Sequence, residues 1–227
     1  MEKLQVSILG DSISTYSRYN PKGYAVYYDI FAKKAYRMNS VRDTWWSQVL
    51  RGMKAKLCVN GSFSGSKVSG GEFPAAESEE RIRALQKNGI IPGMIMIYIG
   101  FNDFACAVEL EEFSDAYAHM LSQLRHCYSD SQIICGTLMR TYVKDVPKWE
   151  FPDAYNGLSI DVYNDAIRTA CQANEVLIAD LAKLGNGYET RDCAHPTVKG
   201  HIEIADAWKE CLEDILSEKA GKYLSAV

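Results

Sequence analysis

No C-x-x-C pair occurs in this sequence, and its seven cysteines (Cys58, Cys106, Cys127, Cys135, Cys171, Cys193 and Cys211) form an odd, dispersed set. That excludes a regular disulfide framework, and buried, reduced thiols in a cytoplasmic setting are expected instead. No segment approaches the roughly 18 consecutive apolar residues of a membrane span. The opening MEKLQVSILG lacks the apolar h-region and cleavage site of a secretory signal and runs straight into a strand pattern, so secretion is not expected. Lys and Arg are scattered and the formal charge is −4, which leaves out the basic footprint of a nucleic-acid binder. Neither nucleic acid nor membrane is expected as a partner, and no repeat, low-complexity tract or inter-domain linker breaks the chain.

What remains is the composition of a folded enzyme-sized domain. With 47% apolar and 24% charged residues, disorder is excluded, and 227 residues suffice for one sizeable core, so a single domain spanning 1–227 is expected. Strand-length apolar runs fall at residues 4–9, 57–59, 94–99, 132–138 and 176–179. Their hydrophobicity is continuous rather than alternating, the pattern of strands buried on both faces of a parallel sheet. Helical periodicity lies between them: a helix capped by Asp43 and carrying Trp45, Trp46, Val49 and Leu50, then 76–88, 110–127, 159–174 and 197–217. Alternation of strand and helix predicts an α/β fold, a doubly wound, three-layer sandwich whose ligands bind beyond the carboxyl ends of the strands.

Three polar, glycine-containing stretches fall at those ends: Gly10-Asp11-Ser12, NGSFSGSKVSGG (60–71) and GFND (100–103). A serine hydroxyl becomes a nucleophile only when an oriented base takes its proton. Of the four histidines, His119 and His126 belong to the 110–127 helix and His201 to the last one. Only His195 lies in a loop, just before Pro196, which marks the start of the final helix. Asp192, three residues earlier, is placed to fix the imidazole tautomer through Nδ1. Donors for a developing oxyanion are available from the Ser12 N–H, from a glycine in the second stretch and from the Asn102 amide.

These four blocks, in this order, resemble the SGNH (GDSL-type) hydrolase superfamily, which is defined by a Ser, a Gly, an Asn and a His. Gly10-Asp11-Ser12 is similar to its first block, VNGSFSGSKVSGG (59–71) to its second, Gly100-Phe101-Asn102-Asp103 to its third and Asp192-Cys193-Ala194-His195-Pro196 to its last. The resemblance implies a flavodoxin-like parallel sheet in a three-layer α/β/α sandwich. It implies hydrolysis of carboxylic esters, thioesters or O-acetyl groups with no metal and no cofactor. Ser12 would attack, His195 would act as base and then acid, and Asp192 would orient it. Ser12, Gly65 and Asn102 would form the oxyanion hole, with Asp11 and Asp103 ordering their loops. One departure is Cys193-Ala194, where the family more often has a glycine or a bulkier apolar residue.

Other readings of the same residues are weaker. SGSK (64–67) has no K-T-G partner motif, and GSFSG (61–65) puts Phe63 where an elbow serine belongs. Asp192, Cys193, His195 and His201 lack the spacing of a metal site, and Cys193 reads as a wall thiol rather than a nucleophile. Two long segments, 16–42 and 140–158, are rich in aromatics: Tyr16, Tyr19, Tyr24, Tyr27, Tyr28 and Tyr36 in one, Tyr142, Trp149, Phe151 and Tyr155 in the other. They read either as loop packing or as a stacking surface for a sugar. The expected activity is that of a serine esterase on a small-molecule or carbohydrate ester, O-acetyl or short acyl. The alternatives are a thioesterase or lysophospholipase of the same superfamily, or a catalytically silent carbohydrate-binding member.

Overall fold

The computed structural model describes residues 3–144 and 158–225, the side chains of 218–225 excepted. In chain order the described residues form β1 (Gln5–Gly10), α1 (Ile30–Ala35), α2 (Trp45–Gly52), β2 (Lys56–Asn60), α3 (Glu79–Arg83), β3 (Met94–Tyr98), α4 (Phe101–Ala105), α5 (Leu110–Cys127), β4 (Gln132–Gly136), β5 (Thr141–Val143), α6 (Ile160–Ala173), β6 (Leu177–Ala179), β7 (Tyr188–Thr190) and α7 (Val198–Ser225). Five strands pair in parallel in the order β2-β1-β3-β4-β6. That is the flavodoxin-like order, and the α/β sandwich expected from the sequence is the fold observed.

The continuous apolar runs have the cause assigned to them: every residue of β3 is buried, as are all but the first of β1 and β4. Helix α2 packs on α7, with Trp45 stacked on Trp208 at 5.4 Å between ring centroids, while α5 packs on α3 and α6. In the sheet Gly10 lies opposite Tyr98, so β1 and β3 end at the same level. From β1 the order runs to β2 on one side and to β3 on the other, which makes the β1/β3 edge the switch point where ligands bind in such sheets. Asp11-Ser12 and Gly100–Asp103 leave the sheet there, side by side. Among the described residues, no helix is long and apolar enough to cross a membrane.

Local differences from the sequence reading have identifiable causes. Thr44, not Asp43, caps α2, accepting from Ser47 N. Asp43 closes the preceding 3-10 turn by accepting from the Asn39 and Ser40 N–H groups at 2.8 and 2.9 Å. The helix expected over 76–88 shrinks to Glu79–Arg83, because Asn88 and Gly89 take positive φ (53° and 76°) and turn the chain into a small antiparallel bridge between Lys87 and Ile90. The β5–β7 pair was not foreseen, since three-residue strands carry too little periodicity to register. Within 16–42 the chain forms α1 and a 3-10 turn and is anchored at both ends of the site region. The Asn20 amide donates to Asn60 O and Ser62 O at 3.2 and 2.9 Å, and the Tyr28 hydroxyl to Pro196 O at 2.7 Å. Trp149, Phe151 and Tyr155 lie outside the described residues.

Arg81 of α3, 1% exposed, ties the strand ends together. Nη2 donates to Gly10 O and Gly61 O, both at 2.8 Å; Nη1 donates to Ser66 Oγ at 2.7 Å and Pro74 O at 2.8 Å. Burial lowers its pKa to about 10, against the pull of Tyr24 and Asp11. A second buried titratable group, His201 of α7, accepts the Trp45 N–H on Nδ1 at 3.3 Å. Burial and then the nearby His195 lower its pKa from 6.5 to about 3, which keeps it neutral in the folded protein.

Two outcomes are expected. Arg81→Met leaves four acceptors without their donor and should destabilise the protein by about 3–5 kcal/mol, measured by urea unfolding at neutral pH. His201 has a folded-state pKa below its unfolded value, so its contribution is complete above pH 6.5 and is lost as pH falls. Near pH 4.5 the wild type should have lost about 3 kcal/mol that a His201→Gln protein retains, with the difference vanishing near neutrality.

Candidate active site

The turn after β1 is built for close approach. A Cβ on Gly10 would lie 2.7 Å from Ser14 Oγ and 2.9 Å from Ser62 Oγ, so only glycine passes there without a shift. Asp11 Oδ1 then accepts the Ile13 N–H at 3.0 Å and the chain winds into a single 3-10 turn, Ser12–Ser14, with Ser12 7% exposed. Full burial pushes the Asp11 carboxyl up to about 6; the Ile13 N–H, His195 and Arg81 limit the rise.

His195 arrives from the other end of the chain. Strand β7 and an antiparallel bridge between Thr190 and Pro196 close the loop that carries it. Within the loop, Asp192 Oδ1 accepts the backbone N–H groups of Ala194 and His195 at 3.2 and 2.8 Å, and Oδ2 takes His195 Nδ1 at 2.7 Å. Cys193 sits at φ 70°, a left-handed conformation that glycine adopts without strain and a residue with a Cβ adopts only at a cost. His195 Nε2 lies 2.9 Å from Ser12 Oγ. Because a carboxylate only accepts, Nδ1 holds the ring proton and Nε2 is the acceptor for the serine hydroxyl. Burial works against the Asp192 charge, but the His195 ring, its positive charge when protonated and its backbone N–H outweigh it and hold the carboxyl well below the usual range.

The loop that carries Gly65 is tied to the end of β1, the Phe63 N–H donating to Gly10 O at 3.1 Å. Gly65 has φ +79°, and a Cβ there would meet nothing within 4 Å. That left-handed conformation is one that glycine adopts without strain. Neither its N–H nor that of Ser12 donates to an acceptor among the described residues. Asn102 Nδ2 donates to Ser66 O at 2.8 Å, which fixes the amide and leaves its second N–H for another acceptor. Asp103, fully buried, binds the same loop from below: Val68 N at 2.8 Å on Oδ2, Ser69 N and Oγ at 3.1 and 2.9 Å on Oδ1. Its pKa is raised by burial in spite of these bonds.

The structure thus brings Ser12, His195 and Asp192 into one hydrogen-bonded chain and sets Gly65 and Asn102 in one braced loop assembly. It separates the other histidines from them: His119 pairs with Glu77 at 3.1 Å, and His201 is buried against Trp45. Among the described residues, no group of three or more His, Cys, Asp and Glu side chains is placed to hold a metal ion. Of the aromatics, Tyr16, Tyr28 and Tyr36 are buried, and Tyr24 clusters with Phe63 and Phe73 at 5.4 and 5.5 Å. Tyr27 lies flat on the His195 ring, with centroids 3.3 Å apart and planes 3° from parallel. Sequence reasoning missed Arg81, hidden among the charges of 79–83, and gave Tyr27 no role of its own.

The same architecture recurs in solved proteins of low sequence identity. A chain from Bacteroides ovatus described as a GDSL-like lipase superposes with a TM-score of 0.72 at 23% identity, over 94% of this chain and 100% of its own. A second, from Bacteroides uniformis and described in the same way, gives 0.71 at 23%, over 93% and 96%. The psychrotrophic esterase EstA from Pseudoalteromonas sp. gives 0.61 at 14%, over 94% and 98%. Those likenesses establish the fold. No curated protein matches the sequence. The match that assigns kinship is to the family GDSL-like Lipase/Acylhydrolase, over residues 4–212. With that match covering nearly the whole chain, the protein belongs to the GDSL-like lipase/acylhydrolase family and is a hydrolase of ester bonds.

Proposed function

We propose that the protein is a serine esterase in which Ser12, His195 and Asp192 form the catalytic triad and Ser12, Gly65 and Asn102 the oxyanion hole. The observation that carries the reading is the unbroken run Asp192 Oδ2 to His195 Nδ1 at 2.7 Å and His195 Nε2 to Ser12 Oγ at 2.9 Å. As Ser12 Oγ attacks the acyl carbon, its proton passes to Nε2, and Asp192 supports the imidazolium that forms. The carbonyl oxygen, now negative, takes the N–H groups of Ser12 and Gly65 and the second Asn102 N–H. Collapse expels the alcohol, protonated by His195, and leaves an acyl-Ser12 ester. Water, deprotonated by His195, repeats the sequence and frees the acid.

The preferred substrate is an O-acetyl or other short-acyl ester. Supporting a small acyl group, Ser12 is only 7% exposed and Tyr27 covers one face of its base. The Tyr24–Phe63–Phe73 cluster, whose Phe63 is two residues from Gly65 in sequence and whose Phe73 is 39% exposed, supports a carbohydrate as the alcohol. A cytoplasmic setting is part of the proposal, supported by seven cysteines that are all free thiols.

Initial rates on p-nitrophenyl esters of increasing acyl length test the reading. Ser12→Ala and His195→Ala should each lose at least about 10³-fold in kcat, and Asn102→Ala about 10²-fold, all three remaining folded. Rates should fall steeply beyond acetyl; rates that climb with chain length would replace the short-acyl assignment with the long-chain, lysophospholipase-like alternative.

A further inference from the structure

Tyr27 makes more of its contacts with the proposed triad than packing requires. Its ring is parallel to the His195 imidazole at 3.3 Å, and its hydroxyl lies 2.9 Å from Asp192 Oδ2, the oxygen that also takes His195 Nδ1. The hydroxyl also lies 2.9 Å from that of Tyr36. Since the carboxylate can only accept, Tyr27 donates its single hydroxyl proton to Asp192, and Tyr36 donates to Tyr27. Burial, then the opposed bonds from Tyr36 and to Asp192, set the Tyr27 hydroxyl pKa at about 12, so it remains a donor at neutral pH.

The backbone of Tyr27 is tied to the nucleophile's turn. Its N–H donates to Thr15 Oγ1 at 2.9 Å, and the Thr15 hydroxyl donates to Ser12 O at 3.0 Å. The ring is braced edge-on by Tyr28 and Tyr36, at 5.1 and 5.8 Å. One residue of the long 16–42 segment therefore touches the loop of Asp192 and His195 and, through Thr15, the turn of Ser12. These two loops are distant in sequence, Ser12 and His195 being 183 positions apart.

We propose that Tyr27 is a positioning residue for the esterase reaction, fixing Asp192 through its hydroxyl and His195 through its ring face. The inference rests on the triad reading given above. Two effects follow from the contacts. The donated bond keeps Oδ2 in line with Nδ1, so the imidazole cannot swing away from Ser12. The π face lies against the ring that becomes cationic when it takes the serine proton, an interaction that strengthens as the charge develops. A tyrosine serving only as filling would be replaceable by phenylalanine at no cost in turnover.

The experiment measures kcat and KM on p-nitrophenyl acetate, with urea-unfolding midpoints, for the wild type, Tyr27→Phe, Tyr27→Leu and Ser12→Ala. Tyr27→Phe keeps the stacked ring and loses the hydroxyl; kcat should fall about tenfold with KM within about twofold and the unfolding midpoint nearly unchanged. Tyr27→Leu loses both contacts and should fall about a hundredfold. If Ser12→Ala is inactive while Tyr27→Phe turns over like the wild type, the positioning role is overturned and the triad stands. A loss that appears wholly in KM, or that tracks loss of folded protein equally in both variants, also overturns it. If Ser12→Ala is as active as the wild type, the triad reading itself falls.

Discussion

A single 2.9 Å contact, between Ser12 Oγ and His195 Nε2, joins residues 183 positions apart and sets what the rest of the structure must hold still. Neither loop could hold that distance alone. The serine side is fixed by a parallel sheet whose β1 and β3 end level, by the Gly10 turn, and by Arg81 drawing the carbonyls of Gly10 and Gly61 together from behind. The histidine side is fixed by β7, the Thr190–Pro196 bridge and an Asp192 carboxylate that accepts two backbone N–H groups from its own loop. Each brace is modest in energy. Together they restrict the hydroxyl and the imidazole to one relative geometry, which is what proximity and orientation demand of the proposed nucleophile and its base.

The loop that carries Gly65 is held by the same economy of contacts. Ser66 receives Arg81 on its hydroxyl and Asn102 on its carbonyl, and Asp103, next in sequence to Asn102, takes the N–H groups of Val68 and Ser69. Two adjacent residues at the end of β3 thus perform separate tasks. One braces the Gly65 loop through its amide on Ser66 O, and the other is a buried carboxylate whose strained ionisation is offset by three hydrogen bonds.

Much of this was legible in the sequence because it rests on local chemistry. Continuous apolar runs gave the parallel strands, periodicity gave α5 at its observed limits, and Gly-Asp-Ser, Gly-x-Asn-Asp and Asp-x-x-His-Pro marked the loops that carry the proposed site. What escaped was long-range or too short to have a period. Arg81 reads as one more charge in a polar stretch until four carbonyl and hydroxyl oxygens from elsewhere converge on it. Asp43 and Thr44 are both good caps, and only the geometry of the 3-10 turn before α2 decides between them. The length of the 16–42 segment had no sequence rationale; its path from Asn20 beneath the Gly61 turn to Tyr27 and Tyr28 at the His195 loop supplies one.

The central claim is that Ser12 is the nucleophile activated by His195, and the most direct measurement is covalent labelling. The protein and its His195→Ala variant are treated with an organophosphate ester that mimics the tetrahedral intermediate, then digested and mapped by mass spectrometry. The account predicts one stoichiometric phosphoryl adduct, on Ser12, formed quickly in the wild type and at least about 10³-fold more slowly in His195→Ala. An adduct on another residue, or labelling of Ser12 at the same rate in both proteins, would contradict it.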